Sequence, residues 1–253
     1  YKAGLSAADR GRILHDALYA LWGDLEDSDK LAASDQQTLS VLVASAVESA
    51  LDAVAEPLRQ LVGMHCLDLE RRRLHSLLQE WLQLERQRDA FKVIAREAPV
   101  SFRLGGLELS MRVDRVDQLA DGSRMVIDYK SGRNSLSQWL GHRPAQPQLP
   151  LYGLAEDVSA LAFAEVRPRD GRFLGLGQVQ GIKGVQSDIA KGVSRYSSCE
   201  DWASLLAEWQ QNLARLPADF LAGEAAVDPL STACNFCGLD PLCRVAIAGG
   251  AGA

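Results

Sequence analysis

Two short stretches on either side of an Asp-Gly pair constrain the fold more than any other feature of the sequence. In LELSMRVD, residues 107 to 114, apolar and polar side chains alternate, which predicts a strand with one buried face. RMVIDYK, residues 124 to 130, predicts a second strand. Because Asp121-Gly122 between them is a strong turn signal, the two stretches predict an antiparallel hairpin.

The second strand carries two charged side chains on one face. Residues two apart on a strand project to the same side, so Asp128 and Lys130 point together. The alternate positions are expected to fill the core on the other side: Met125, Ile127 and Tyr129. The strand therefore brings a charged pair into a fold that otherwise closes around apolar side chains.

The length of the turn decides what stands opposite this pair. A two-residue loop would place Asp114 opposite Tyr129, on the wrong face. A three-residue loop, residues 120 to 122 with Gly122 in the left-handed region, places Asp114 opposite Asp128. We predict this second register, in which the Cβ atoms of the two acids lie roughly 4.5 to 5.5 Å apart.

Two carboxylates at that separation repel each other unless a cation lies between them. Oxygen ligands of this kind match Mg²⁺ or Mn²⁺. The alternation of side chains shows only that these residues share a face. It leaves an alternative open, in which the hairpin lies on the surface and its charges face water. Asp117 shares the face of Val113, since the two are an even number of residues apart on the strand. We therefore expect it to lie outside the site, as a solvated charge on its rim.

The rest of the chain predicts an α/β fold. Ser6 is the expected N-cap of a helix that extends to Trp22, with Asp9 in its first turn. Further helices are predicted near 35–63, 67–90, 148–157 and 200–223, and further strands at 93–104 and 160–168. The predicted architecture is a central mixed sheet flanked by helices on both faces, with a helical N-terminal extension.

Composition narrows the classes of function. The 253 residues contain no apolar run of the roughly 20 residues that a membrane span needs, so we expect a cytoplasmic protein without a membrane partner. The net charge of −6 gives no overall support to nucleic-acid binding, which must then depend on local features. The basic stretch from Arg71 to Arg96 is interleaved with acids and predicts a solvated helix face laced with ion pairs.

Four short motifs resemble those of one nuclease family. They are GRILH (11–15), RVDRVD (112–117), VIDYKSG (126–132) and QLPLY (148–152). Their order and spacing are similar to those of the RecB/AddB-type nuclease domain of the PD-(D/E)xK superfamily, over about residues 11 to 243, and most of all to AddB-like bacterial DNA-repair nucleases. The resemblance implies a restriction-endonuclease-like fold and a Mg²⁺- or Mn²⁺-dependent nuclease of DNA repair and recombination, exonuclease rather than endonuclease.

The resemblance also implies the roles of the central residues. His15, Asp114 and Asp128 correspond to the metal ligands, and Lys130 corresponds to the catalytic lysine. Glu97, on the strand before Asp114, resembles an additional acid near the site. Without the other motifs, His15 would be read as a helix histidine packed against the core.

Two further residues match the helical Gln-x-x-x-Tyr motif of the family. Gln148 and Tyr152 lie four apart and so share one face of a helix. The resemblance implies that this face points toward the DNA backbone or the catalytic lysine, as part of the catalytic site. Packing of Tyr152 in the core is the alternative.

The cysteines form a second group. Cys234, Cys237 and Cys243 are closely spaced, which favours metal or cluster ligation over disulfides in a cytosolic protein. In the resembling nucleases, such a trio joins a fourth cysteine upstream of the Gly-x-x-x-His motif to hold a [4Fe-4S] cluster. No cysteine precedes His15, and Cys66 and Cys199 do not match that position.

We therefore expect the fourth cluster ligand in an upstream part of a longer chain, since this one begins at Tyr1 without a Met. The cluster would then be incomplete in this fragment. The alternatives for the three thiols are zinc binding, oxidation of two of them, or no ligation at all.

Two functions of different class follow. The first is a DNA nuclease that works with a helicase subunit or an upstream helicase-like region. The second is an inactive nuclease-like scaffold that binds DNA or a protein partner. In the first, residues 1–92 form a helical region that supplies His15, residues 93–175 the nuclease core, and residues 176–253 the C-terminal helices and cysteine loop of one compact domain.

Overall fold

A mixed β-sheet forms the centre of the molecule. The computed structural model describes residues 4–224 and, beyond them, residues 234, 237, 239 and 242. In these residues the sheet has six strands that lie side by side in chain order. They are β1 (Phe91–Leu104), β2 (Leu107–Leu119), β3 (Arg124–Lys130), β4 (Ala160–Glu165), β5 (Arg172–Gly177) and β6 (Val185–Gln186). The β3–β4 and β5–β6 pairs are parallel and the others antiparallel, as the predicted mixed sheet requires.

Helices cover both faces of this sheet. Those before the sheet are α1 (Ala7–Leu25), α2 (Ser28–Ala33), α3 (Gln36–Asp52) and α4 (Glu56–Glu85). After β3 come a 3-10 turn (Leu136–Trp139), α5 (Gln148–Ala155), α6 (Ile189–Val193) and α7 (Trp202–Leu221). The helices before the sheet pack on one face and form the first core, while α5, α6 and α7 form the second core on the other. The predicted α/β fold with helices on both faces is confirmed.

The first helix begins where the sequence predicts. Ser6 accepts a hydrogen bond from the Asp9 N–H, and the Asp9 carboxylate accepts one from the Ser6 N–H, which completes a capping box. The buried side chains of α1 recur at helical spacing, from Ile13 to Leu25, and pack on α3. This packing directs His15 of the same helix toward β3.

The β2–β3 hairpin has the predicted register. The Leu119 N–H donates to the Ser123 carbonyl at 2.8 Å, and Arg115 lies opposite Ile127. Gly122 has a φ of 84°, in the left-handed region that the three-residue loop requires. This register places Asp114 across from Asp128.

Strand β2 changes faces at Asp114. Met111 and Val113 pack in the second core, and so does Val116, three positions further on. In a regular strand an odd offset would turn Val116 to the other face. The adjacent strand is distorted at the same level, where Glu97 has a φ of 45°. Beyond this point, the odd-numbered residues of β2 therefore face the first core.

Asp117 is not a solvated rim charge, so this prediction was wrong. Its side chain is 0% exposed and lies 2.6 Å from Arg115 Nε and 2.9 Å from Arg88. In a regular strand Asp117 would share the face of Val113, in the second core. The change of face turns it instead toward the first core, where Arg115 and Arg88 lie beside it.

The prediction for the basic stretch holds only in part. Arg71 pairs with Glu48 and Asp68 on the exposed surface of α4, as expected. Arg88 is instead buried and lies 2.7 Å from Glu85, the last residue of α4. Some residues of this charged segment therefore belong to the interior.

Other differences from the sequence analysis are small. The first predicted helix of the 35–90 region ends at Asp52 instead of near residue 63, and α4 contains a non-helical Gly63 with a φ of 74°. The sequence analysis did not predict α2, β5, β6 or α6. No helix among the described residues is long and apolar enough to cross a membrane.

We expect Gly122→Ala to lower the free energy of unfolding by about 1–2 kcal/mol, because an L-residue is strained in the left-handed region. No atom lies within 4 Å of the added Cβ, so backbone strain alone causes the loss. Gly122→Asn, whose side chain tolerates this region, should lose less. Urea unfolding of the three proteins measures the difference, and equal stabilities would contradict the left-handed turn.

Candidate metal centre

One helix and two strands bring ionisable side chains together around Asp114. His15 comes from α1, Asp114 from β2, and Glu97 from β1. One ligand atom from each of these residues lies within 4.8 Å of the other two. Asp128 is not part of this group, although the hairpin register places it across from Asp114.

The two nitrogens of His15 have different surroundings. Nε2 lies 3.0 Å from the Tyr129 carbonyl oxygen, while Nδ1 lies 3.4 Å from Asp114 Oδ2. A carbonyl only accepts hydrogen bonds, so Nε2 carries a proton and donates to it. In the neutral imidazole, Nδ1 then has the free lone pair, directed at Asp114, where a metal ion would bind.

The charge state of His15 follows from its acidic neighbours. Burial lowers its pKa, but the hydrogen bond and the negative charge of Asp114, together with the charge of Asp128, raise the pKa overall. The site is therefore electronegative and stabilises a positive charge at this position.

Asp114 closes the hairpin at its open end. Regular β2–β3 pairing ends at Arg115, and the Asp114 carboxylate accepts the next N–H of β3, that of Tyr129, at 2.8 Å. The side chain thus takes the place of a backbone ladder partner. This bond fixes one carboxylate oxygen beside His15.

Asp128 is a buried carboxylate with an incomplete set of partners. Its side chain is 3% exposed, and Lys130 Nζ lies 2.6 Å from Oδ2 as an ion pair. No other described residue donates a hydrogen bond to this oxygen. Burial, and then the charge of Asp114, raise the pKa of Asp128 to about 6 against the opposing effect of Lys130.

The side chains present suit a divalent cation. The carboxylate oxygens of Glu97 and Asp114 are hard donors, and the imidazole of His15 adds one nitrogen ligand. Asp128 lies across the hairpin from Asp114, and a bound cation would offset the repulsion between the acids. The donor set therefore fits Mg²⁺ or Mn²⁺.

Glu97 occupies a strained backbone position beside this centre. Its φ of 45° is rare for a residue other than glycine, and such strain is concentrated at functional sites. Burial, followed by the Asp114 charge, raises the pKa of Glu97. Arg112 lies 3.7 Å from its carboxylate.

Lys130 is next to the acids but is more accessible than they are. Its side chain is 29% exposed, and its ammonium lies 5.7 Å from the ring centroid of Phe163. Such a contact is a weak cation–π interaction. The ammonium is thus held at the edge of the site, where a ligand can reach it.

The Gln-x-x-x-Tyr residues lie on α5 with different exposures. Tyr152 is buried in the second core, and its hydroxyl donates to the Arg112 carbonyl. Gln148 is exposed, with its amide nitrogen 3.4 Å from the Tyr152 hydroxyl. Burial raises the pKa of Tyr152 to about 12. Tyr152 therefore fastens α5 to β2 two residues before Asp114, in line with the packing alternative, while Gln148 remains accessible.

The four cysteines that the structure describes are free thiols. Cys234 and Cys237 are free and exposed, and Cys243 lies outside the described residues. Cys66 is also free, and Cys199 is buried beside Glu208. In the part of the chain that the structure describes, no cysteine belongs to a group that could hold a metal ion.

Comparison with known proteins identifies the family. The model of the PD-(D/E)XK nuclease superfamily matches residues 2–244, nearly the whole chain. This chain belongs to the PD-(D/E)XK nuclease superfamily. A search of curated proteins finds no significant match.

This chain is similar to a solved structure over most of the length of both chains. That structure is described as "Crystal structure of SSO0001", with 14% sequence identity, 97% of this chain and 87% of that chain covered, and a TM-score of 0.36. A likeness this weak adds nothing to the family assignment.

The sequence analysis missed the part of the structure that lies beneath the site. Arg115 and Asp117 are charged and two apart on β2, the same pattern that drew attention to Asp128 and Lys130 on β3. The pattern was therefore present in the sequence. Its buried partners, Glu85 and Arg88, come from the end of α4 and could not be paired with it without the fold.

We expect Asp114→Asn to weaken Mn²⁺ binding at least about tenfold, because it removes a charged ligand oxygen from the centre. Calorimetric titration of Mn²⁺ into the DNA-free protein measures the affinity. Asp121→Asn, which changes an exposed carboxylate in the hairpin loop, is the control and should bind like the unaltered protein. Equal affinities of the two variants would place the metal ion elsewhere.

Proposed function

We propose that this protein is a metal-dependent nuclease that hydrolyses phosphodiester bonds in DNA. One observation carries the proposal within the superfamily: the buried carboxylate of Asp128 is paired with the Lys130 ammonium and lies across the hairpin from the carboxylate of Asp114. Two carboxylates that face each other across a hairpin repel unless a cation lies between them, and the adjacent ammonium suits an anionic substrate.

His15, Asp114 and Asp128 would hold the cation, with Glu97 as an additional acid. When bound, a divalent cation lowers the pKa of a water molecule and polarises the phosphate oxygen. His15 would bind through Nδ1, since Nε2 is engaged by the Tyr129 carbonyl. Asp114 is held in place by the Tyr129 N–H, which leaves its second oxygen for the ion.

Lys130 would act on the substrate directly. Its ammonium can orient the attacking water or neutralise charge that develops on the phosphate oxygens. The ion pair with Asp128 fixes the ammonium near the metal ligands, and its partial exposure leaves it accessible. Gln148 can donate from its exposed amide to the DNA backbone, while Tyr152 keeps α5 against β2.

The finer assignment depends on the sequence motifs. We infer a RecB/AddB-type nuclease of DNA repair and recombination, working as an exonuclease in the cytoplasm beside a helicase subunit or helicase-like region. The net charge of −6 supports local rather than global attraction of DNA, so much of the DNA affinity would come from such a partner. A [4Fe-4S] cluster would require Cys234, Cys237, Cys243 and a fourth ligand from a longer chain.

The organisation of the chain follows from the same proposal. Residues 1–92 would supply His15, residues 93–175 the acids and Lys130, and residues 176–253 the C-terminal helices and the cysteine loop. The two cores lie on opposite faces of one sheet, which supports a single compact nuclease domain.

We expect Lys130→Ala to reduce DNA cleavage by about a hundredfold or more, the usual effect of removing one group that stabilises transition-state charge. Labelled single- and double-stranded DNA would be incubated with the protein in Mg²⁺, in Mn²⁺ and in EDTA. EDTA should abolish cleavage by the unaltered protein.

Lys183→Ala provides the matched control, since this lysine is exposed and lies on the loop before β6. It should cleave DNA like the unaltered protein. Full activity of Lys130→Ala would refute the role of the lysine. DNA binding without cleavage in any metal would instead favour the inactive scaffold.

A further inference from the structure

A cluster of four buried charges lies beneath the metal centre. We call it the ion cluster; its members are Glu85, Arg88, Arg115 and Asp117. Their side chains are at most 4% exposed, and the two positive and two negative charges balance. Each arginine contacts both acids, so the cluster joins the end of α4 to β2.

Arg115 is the most constrained member of the cluster. Its Nε and one terminal nitrogen donate to the two oxygens of Asp117 at 2.6 and 2.8 Å, and its other terminal nitrogen donates to Glu85 at 2.8 Å. The guanidinium also stacks 3.8 Å from the ring centroid of Trp22 on α1. Because its three nitrogens are hydrogen-bonded and one face is stacked, the planar guanidinium is held in one orientation.

The same guanidinium reaches the metal centre through Tyr129. The nitrogen that binds Glu85 also donates to the Tyr129 hydroxyl at 3.2 Å. Tyr129 lies between Asp128 and Lys130, and its side chain is buried in the first core. The ion cluster therefore holds the residue in the middle of the charged motif of β3.

The main chain of Tyr129 is bonded on both sides by the proposed metal ligands. Its N–H donates to Asp114, and its carbonyl accepts from His15. A shift of the Tyr129 main chain would thus move both ligands at once. Removing a group that orients metal ligands in this way commonly lowers the metal affinity by about tenfold to hundredfold.

Stability alone does not account for such a cluster. Buried ion pairs seldom stabilise a fold more than apolar side chains of similar volume, because the cost of desolvating the charges offsets their attraction. Their directional hydrogen bonds, in contrast, define positions that apolar contacts leave adjustable. These contacts are therefore suited to fixing the geometry of the metal centre.

We propose that Arg115 is a positioning residue of the metal centre: through the Tyr129 hydroxyl, it fixes the main chain to which His15 and Asp114 are both hydrogen-bonded. The inference rests on the metal centre of the proposed function but not on cleavage of DNA. Arg115 lines the same small pocket as His15, Glu97 and Asp114, but its hydrogen bonds go to Glu85, Asp117 and Tyr129.

The decisive variant is Tyr129→Phe, which retains the ring and removes only the hydroxyl that links the cluster to the centre. Arg115 still has its bonds to Glu85 and Asp117, so the urea midpoint of the metal-free protein should change little. Affinity for Mn²⁺, measured by calorimetry without DNA, should fall about tenfold.

Arg115→Lys and Arg88→Lys form a matched pair. Both weaken the ion cluster and should lower the urea midpoint, but only Arg115 contacts the Tyr129 hydroxyl. Arg115→Lys should therefore weaken Mn²⁺ binding, whereas Arg88→Lys should leave it unchanged. In the Tyr129→Phe background, Arg115→Lys should cause no further loss of Mn²⁺ affinity.

Unaltered Mn²⁺ affinity in Tyr129→Phe would overturn the inference, as would equal losses in Arg88→Lys and Arg115→Lys, which would indicate a purely structural cluster. If Arg115→Lys does not fold, the Tyr129→Phe result decides. Absence of Mn²⁺ binding by the unaltered protein would remove the metal centre and this inference together. The expected binding pattern without any DNA cleavage would sustain the inference and refute the proposed function.

Discussion

The paired hydrogen bonds of Arg115 with Asp117 connect the interior of the molecule to its candidate site. The pair is buried and forms further ion pairs with Glu85 and Arg88 at the end of α4. Arg115 also donates a hydrogen bond to Tyr129 in the neighbouring strand, β3. Removing one member would leave the buried cluster with one unbalanced charge, which is far costlier than losing an exposed pair. The helices before the sheet and the hairpin are therefore held in one relative position.

The site forms where regular pairing of the hairpin stops. Beyond Arg115, the β2 backbone no longer bonds to β3, and the Asp114 carboxylate takes over the Tyr129 N–H. The distortion at Glu97 lies at the same level of the sheet. A backbone free of ladder bonds can bring side chains from α1, β1 and β2 to one point, which a continuous sheet would keep apart. The strain at Glu97 is the local cost of this arrangement.

The sequence predicted the parts of this arrangement that depend on local rules. Alternation, the Asp-Gly turn and the parity of Asp114 and Asp128 were sufficient for the hairpin register, because a one-residue slip would exchange the two faces of β3 and turn Asp128 toward the first core. The same rules failed for Asp117, since parity assumes a regular strand and β2 changes faces at Asp114. They also failed for Arg88, whose acidic neighbours along the chain suggested an exposed helix face.

The sequence by itself determined the α/β class, the helices on both faces, the superfamily motifs and the candidates His15, Asp114, Asp128 and Lys130. These follow from periodicity, turn chemistry and spacing, which act between near neighbours. Only the tertiary structure decided that Asp117 and Arg88 are buried and that Glu97 forms a group with His15 and Asp114 that does not include Asp128. It also decided which nitrogen of His15 is free. Such features depend on partners from distant segments, and no local pattern specifies which buried charges will meet when α1, α4 and the hairpin pack together.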